Sequence, residues 1–375
     1  MNFLHILKIS ALLACSLAIM GNSVNAAEQG CDAFVPPPDE FDWIQLNSGE
    51  WLKGELKALY NQQLEFDSDQ LDDMSFDMED IKRVRGHGIK GVRVQRADRL
   101  ADGEEAEPVT LYGELAITKD KVIVTSSGAR HEFDRSGLIA VVSAEGKELQ
   151  HWSAKISIGL NYTRGNTNED DFSTTVNLSR RTSATRFVFN YLANYSRTGG
   201  TDTVDNNRLN IYLDIFKTRK YFWRPVFGEY FRDPFQNIEG RYTAGTAIGY
   251  HFISNAKTEW DVTAGLAYQG TEFVSVLPGE DLNTSTPALS IGTLYDTNIT
   301  KTVEFSILYA FNIVNEESGS YTHHSVTTLQ TELTSWLDFD ISFVWDRVQN
   351  PTASVDGSLP DSDDYWLTFS LGVDY

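Results

Sequence analysis

Cysteine, basic residues and long apolar runs are all scarce in this sequence. Past Met20 no stretch approaches the roughly 18 consecutive apolar residues of a membrane helix, so any bilayer crossing has to be made by strands. Lys and Arg number 31 against 53 Asp and Glu, a formal charge of −22. That excludes a nucleic-acid binder, which needs a basic footprint, and points to bridging divalent cations where an acidic surface meets lipopolysaccharide. The two cysteines are Cys15 and Cys31. Cys15 lies in a leader, so the mature chain keeps one thiol and builds no internal disulfide.

The leader is read from Met1 to Ala26. One Lys precedes an almost wholly apolar stretch, Ile9 to Met20, and Val24-Asn25-Ala26 is a small-x-small cleavage site. A lipoprotein site at Cys15 competes, but the apolar run continues past it and the better cleavage site follows. Residues 27–40, with Pro36-Pro37-Pro38, read as an extended linker.

From residue 41 to 150 the pattern is one of short strands, and it repeats. Trp51-Leu-Lys-Gly54-Glu55-Leu56, Leu64-Glu-Phe66, Ser75-Phe76-Asp77 and Ile81 correspond to Leu111-Tyr-Gly113-Glu114-Leu115, Val122-Ile-Val124, Glu132-Phe133-Asp134 and Ile139. Each copy is expected to be a meander of about three strands, the two forming one periplasmic β-domain. Between them lies the one strongly basic stretch, with Lys82, Arg83, Arg85, Lys90, Arg93 and Arg96. It is a candidate contact for anionic head groups or an acidic partner; the competing reading is a solvated strand balancing the acids of 67–80. Its Gly86-His-Gly88-Ile-Lys-Gly91 matches a dinucleotide fingerprint by letter alone, since no strand-helix unit surrounds it.

From 151 to 375 the segments lengthen and alternate with period two. The last shows it best: Tyr365, Leu367, Phe369, Leu371, Val373 and Tyr375 fall on one side, with Trp366, Thr368, Ser370, Gly372 and Asp374 on the other. About ten residues of this kind make a tilted transmembrane strand, apolar toward lipid and polar toward the lumen. Long polar connections at 164–171, 199–207, 233–239, 272–286, 315–320 and 350–364 alternate with short turns near Thr182, Arg219, Asn255, Asn298 and Ser335. The expected fold is therefore all-β: a transmembrane antiparallel barrel of about twelve strands behind a small periplasmic β-domain with two repeats. Trp152, Trp223, Trp260 and Trp336 fall at the short-turn ends, as an interfacial girdle requires.

With the strands placed, Arg232-Asp-Pro-Phe235-Gln236 followed by Arg241-Tyr-Thr-Ala-Gly245-Thr-Ala-Ile-Gly249-Tyr250 resembles the hallmark segment of the salt-induced outer-membrane protein family, the YdiY-like domain of unknown function. Gly159-Leu-Asn-Tyr-Thr-Arg-Gly-Asn166-Thr167 and Trp345-Asp-Arg-Val-Gln-Asn-Pro351 resemble it too. The resemblance implies an outer-membrane barrel and supplies no catalytic residues.

Strand parity turns Asp214, Asp261, Glu304, Glu332 and Asp340 inward, against Lys155 and Arg208 as inward bases. A ring of carboxylates favours cations in a pore; a narrow barrel filled by paired charges conducts little. His323 and Ser325 share a strand face while His324 takes the other, and no acid is visibly placed to orient either His. Same-face neighbours start nearly 7 Å apart, too far for a Ser-His dyad, so no enzyme and no cofactor is expected. The loop acids Glu169-Asp170-Asp171, Glu280-Asp281, Glu316-Glu317 and Asp361-Ser-Asp363-Asp364 offer oxygen ligands to divalent cations, without the spacing of a defined site. Expected partners are outer-membrane lipid and lipopolysaccharide, a periplasmic or cell-wall partner for the repeat domain, and the barrel assembly machinery at the Tyr375 end. Two functions compete: a structural or docking role in the envelope through the periplasmic domain, and a small-solute or cation-preferring channel. A lipid hydrolase is third.

Overall fold

Two five-strand copies build the N-terminal sheet of the computed structural model, which describes residues 36, 40–95, 107–143, 148–163 and 168–374. The leader, most of the linker, Arg96 and Tyr375 lie outside the described residues. The first copy is β1 (Asp42–Leu46), β2 (Trp51–Tyr60), β3 (Gln63–Ser68), β4 (Asp72–Asp77) and β5 (Ile81–Arg85). The second is β6 (Lys90–Val94), β7 (Val109–Ile117), β8 (Lys121–Ser126), β9 (Ala129–Asp134) and β10 (Leu138–Ser143). Within each copy the first strand pairs with the second and the fifth. The copies join where β5 meets β7 and β10 meets β2. This closes a ring of six strands, β1-β5-β7-β6-β10-β2, from which the hairpins β3–β4 and β8–β9 extend.

The ring is filled by equivalent apolar pairs from the two copies, Ile44 with Val92, Leu56 with Leu115, and Val84 with Val141, each at most 2% exposed. Complete burial of one such side chain is worth ~1.5–3 kcal/mol. Asp42 and Lys90 also occupy equivalent places, opposite Gly54 and Gly113, and they meet as a buried ion pair at 2.8 Å. The glycines are needed because a Cβ would stand 1.9 Å from the Asp67 carbonyl oxygen at Gly54 and 2.3 Å from that of Thr125 at Gly113.

The repeat therefore differs from its reading in sequence. Each copy has five strands rather than three, and the basic stretch does not separate the copies but supplies the end of one and the start of the next. Leu138, not Ile139, is the counterpart of Ile81, since both open the fifth strand with their side chains in the core. A slip of one residue reverses the face of a strand.

The second barrel has twelve antiparallel strands. They are β11 (Trp152–Thr163), β12 (Glu169–Arg181), β13 (Thr185–Thr198), β14 (Thr201–Phe216), β15 (Tyr221–Asp233), β16 (Ile238–Ser254), β17 (Thr258–Phe273), β18 (Asn283–Asn298), β19 (Val303–Ile313), β20 (Tyr321–Thr334), β21 (Leu337–Val348) and β22 (Asp363–Asp374). β22 closes on β11, Lys155 opposite Asp374 and Ile158 opposite Leu371. No helix among the described residues is long and apolar enough to cross a membrane, and the crossing is made by these strands. Leu160, Ile248, Leu266 and every second residue from Tyr365 to Val373 stand exposed on the outer wall. At the short-turn end Tyr221, Tyr250, Phe252, Trp260, Tyr295 and Phe305 form an unbroken chain of ring contacts across five strands. Near the other end His323, Trp345 and Tyr365 stack in turn. An apolar band between two aromatic belts is the surface that a transmembrane barrel shows to lipid.

The expected long connection at 199–207 is instead a tight hairpin. Gly199 and Gly200 turn with φ of 61° and 89°, and Thr201 onward is already strand. Positive φ at both central residues is the hairpin geometry that glycine permits. The polar run 201–207 was misleading because strands that project beyond the lipid band lose their apolar face.

Candidate functional site

The lumen holds three charge clusters among the described residues, each assembled from side chains of several strands. In the first, Arg186 on β13 donates to Asp214 at 3.0 and 3.1 Å, to Glu259 at 2.6 Å and to Asp261 at 2.7 Å. Arg224 holds the other Asp214 oxygen at 2.7 Å, and the His251 ring contacts Asp261 at 2.5 Å. In the second, Lys155 on β11 donates to Asp338 and Asp340 at 2.8 and 3.0 Å and to Gln330 at 2.6 Å. In the third, Arg208 on β14 bridges Glu229 at 2.9 Å and Asp346 at 2.7 Å, and Asp346 also orients His324 at 2.8 Å. β14 and β21 lie five steps apart around a ring of twelve, so the Arg208–Asp346 pair reaches across the lumen. Between the first and third clusters remains a cavity of about 120 Å³ whose lining mixes Asn190, Asn210, Thr243 and Asn312 with apolar residues such as Phe227 and Leu308.

The five acids read as inward do not form a ring. Asp214, Asp261 and Asp340 are buried and neutralised by Arg186, Arg224 and Lys155. Glu304 sits lower, lining a mouth cavity with Glu259 and Asp296, and Glu332 is exposed at the end of β20. Uncompensated carboxylates inside a barrel would be costly, which is why each deep one carries a base. Arg186, Asp338 and Asp346 were missed although they adjoin outward Phe187, Phe339 and Trp345, so parity alone would have placed them. Arg224 was hidden for another reason. The ladder slips between Arg224 and Phe227, around Pro225, and the inward set changes from Phe222 and Arg224 to Phe227, Glu229 and Phe231.

His251, Glu259 and Asp261 bring ligand atoms within 4.8 Å of one another. Arg186 already fills the space that a cation would take, so pairing accounts for the group. Contrary to the sequence reading, an acid does orient a histidine: Asp346 faces His324 across β20–β21. Ser325 is on the other face, beside Tyr309 and Trp345, so strand pleat separates hydroxyl from imidazole.

The short-turn mouth is occupied by the β2–β3 turn, where Asn61 and Gln62 take φ of 48° and 64°. Asn61 donates to Glu259 at 2.7 Å and accepts from Arg181 at 2.9 Å and Ser254 at 3.0 Å. The Tyr60 hydroxyl donates to the Arg181 carbonyl at 3.1 Å, and burial pushes that phenol above its usual range. The candidate basic contact is divided by this docking. Arg93 donates to the Phe216 carbonyl at 2.7 Å, Lys90 is spent on Asp42, Lys82 and Arg85 are half-buried, and Arg83 remains exposed.

At the loop end Asp233 accepts from the amides of Phe235 and Gln236, turning the chain so that Asn237, at φ 61°, is buried. Asn237 donates to the carbonyls of Ser275 and Thr352 at 2.8 and 3.1 Å, tying three loops together. Gln236 bonds Asp364, and Arg347 bonds Asp363. Several loop acids read as cation ligands thus have protein partners, including Asp171 with Asn161 and Ser196.

Residues 156–375 match the family described as "Protein of unknown function, DUF481". The chain belongs to this family. Two of the segments that carried the resemblance in sequence, 232–250 and 345–351, approach each other at the loop end, where the Asp346 charge acts on Asp233 and Arg241. No curated protein matches. Among solved structures the chain is similar to the NanC porin, with TM-score 0.36 and 9% identity over 60% of this chain and 98% of that one. It is similar to the outer-membrane channel DcaP of Acinetobacter baumannii, with TM-score 0.25 and 8% identity over 89% and 92% of the two chains. A third is the outer-membrane expressed OmpT of Vibrio cholerae, with TM-score 0.22 and 10% identity over 78% and 97%. At these values the likenesses carry no functional argument.

Proposed function

We propose that this DUF481 protein is a closed outer-membrane barrel with a structural role in the envelope, holding its N-terminal domain at the periplasmic mouth as a docking module for a partner or the cell wall. The observation that carries this is the Asn61 turn, whose side chain is built into the barrel's own Arg181–Glu259 pairing. A pore would need that mouth and the Arg208–Asp346 bridge to open. The same reading makes the protein non-catalytic, and the salt-induced character implied by family resemblance belongs to it.

Planar-bilayer recording of the full chain is the test. No steady current is expected, together with co-sedimentation of the protein with purified cell wall that weakens in Arg83→Glu. A steady, cation-preferring current that falls in Asp340→Asn would replace this reading with the channel. Orientation is checked separately in intact cells. Thr203→Cys and Val355→Cys react with an impermeant probe and Asn255→Cys does not; equal reactivity at all three overturns the topology.

A further inference from the structure

Arg241, Thr243, Gln269 and Thr271 form one patch of inner wall. Arg241 faces Thr271 and Thr243 faces Gln269 across β16–β17, so the four occupy the corners of a single two-strand rectangle on the lumen side. All are at most 5% exposed, yet Arg241 Nε, Thr243 Oγ1, Thr271 Oγ1 and both amide atoms of Gln269 are buried without a partner among the described residues. Buried polar groups in folded proteins are nearly always satisfied, and five adjacent exceptions call for something that enters the space. The charge decides between occupants. The acids of this end are engaged elsewhere: Glu229 and, through Oδ1, Asp346 by Arg208, Asp233 by two backbone amides, and Asp364 by Gln236, while Asp346 Oδ2 stays unpartnered among the described residues. No carboxylate of the described residues forms an ion pair with Arg241. Its guanidinium flanks the Phe231 ring at 5.9 Å, whose other neighbour is Arg208 at 4.0 Å.

We infer that this patch is a binding site for a small hydroxylated oxyanion, a hydroxycarboxylate or hydrogen phosphate. The guanidinium supplies charge and paired donors for the anionic oxygens. Gln269 Nε2 and the threonine hydroxyls add donors, while Gln269 Oε1 asks for a ligand that also donates. Thr243 opens the patch onto the 120 Å³ cavity, where Asn312 presents a further unpartnered Oδ1. Water alone would satisfy the hydroxyls but leave the Arg241 guanidinium with no direct ion pair, its two nearest counter-charges, Glu229 and Asp346, being shared with Arg208. The inference holds whether or not the barrel conducts.

The test is calorimetric titration of the full chain in detergent with inorganic phosphate, lactate and acetate at constant ionic strength. Because Gln269 is wholly enclosed, each probe is also supplied during refolding. Saturable binding of phosphate or lactate is expected, with acetate weaker for want of a hydroxyl; the stronger of the first two identifies the ligand class. Arg241→Gln should weaken binding by ~10-fold or more, and Arg241→Lys less, because it keeps charge but loses the fork. Should Arg241→Gln fail to fold, Gln269→Met keeps volume and charge and should still weaken binding. The inference is overturned if neither phosphate nor lactate binds saturably, if a folded Arg241→Gln or Gln269→Met binds as wild type, or if a crystal grown in phosphate shows only water at Arg241.

Discussion

The molecule contains two closed β-barrels built on the same two-residue period and turned inside out relative to each other. In the six-stranded ring the inward positions are Ile44, Leu56, Val92 and Leu115; in the twelve-stranded one they are Arg186, Asp214, Asp261 and Asp346. Six strands enclose a space that apolar side chains fill from both copies. Twelve enclose one too wide for that, and the outer wall has claimed the apolar residues for lipid. Long charged side chains then do the filling, with Asp214, Asp261, Asp340 and Asp346 each held by a base. The small barrel's buried ion pair, Asp42 with Lys90, joins equivalent positions of the two copies.

The comparison breaks most sharply at Leu56. Leu56→Asp places an unpaired carboxylate in a dry core and should cost more than ~4 kcal/mol, unfolding the small barrel. Asn190→Asp, an inward change beside the large barrel's cavity, which Arg186 and Arg224 also line, should leave the twelve strands folded. Urea unfolding followed separately by far-ultraviolet dichroism and by resistance of the large barrel to protease distinguishes the two. Equal loss in both variants would end the claim that the interiors obey opposite rules.

Next in size is Arg186. Arg186→Ala strands Asp214, Asp261 and Glu259 with too few bases, and removing one partner from a buried ionic cluster costs about 3–5 kcal/mol. Adding Asp261→Asn should recover part of that loss, because one of the orphaned charges goes with it. Unfolding midpoints of the single and double variants in detergent supply the measurement; a double variant less stable than Arg186→Ala would mean that the cluster is held by packing rather than charge.

The outer wall was legible in the sequence and the lumen was not, for a physical reason. Lipid-facing residues announce themselves by alternation within one strand, so Tyr365 to Val373 could be read without any neighbour. Lumen pairs are made between strands distant in sequence, such as Arg208 with Asp346 or Lys155 with Asp338, and depend on register and closure. Parity gave the right face for Asp214, Asp261 and Asp340 but could not supply their bases, so a neutralised interior looked like an acidic ring. In the small barrel the repeat was visible because both copies keep the glycine that the strand crossing demands. The first strand of each copy escaped notice because Asp42 and Lys90 carry opposite charges at the same place.

The smallest effect lies at the seam where the two barrels touch. Asn61→Ala removes the contacts to Glu259, Arg181 and Ser254 and should cost the docking about 1–3 kcal/mol without unfolding either barrel. Tyr60 adds a dependence on pH whose sign follows from its raised pKa. The folded seam holds the phenol proton more tightly than the unfolded chain does. Its contribution is therefore fully present below the ordinary tyrosine value of about 10 and is lost as pH rises from there toward the folded value. The seam should be insensitive to pH between neutrality and about 10 and weaken above it, and Tyr60→Phe should remove that dependence while costing one hydrogen bond at every pH. Urea midpoints of the small barrel at a series of alkaline pH values, in wild type and Tyr60→Phe, give the comparison. Parallel curves for the two proteins would mean that the phenol proton plays no part in holding the domain to the mouth.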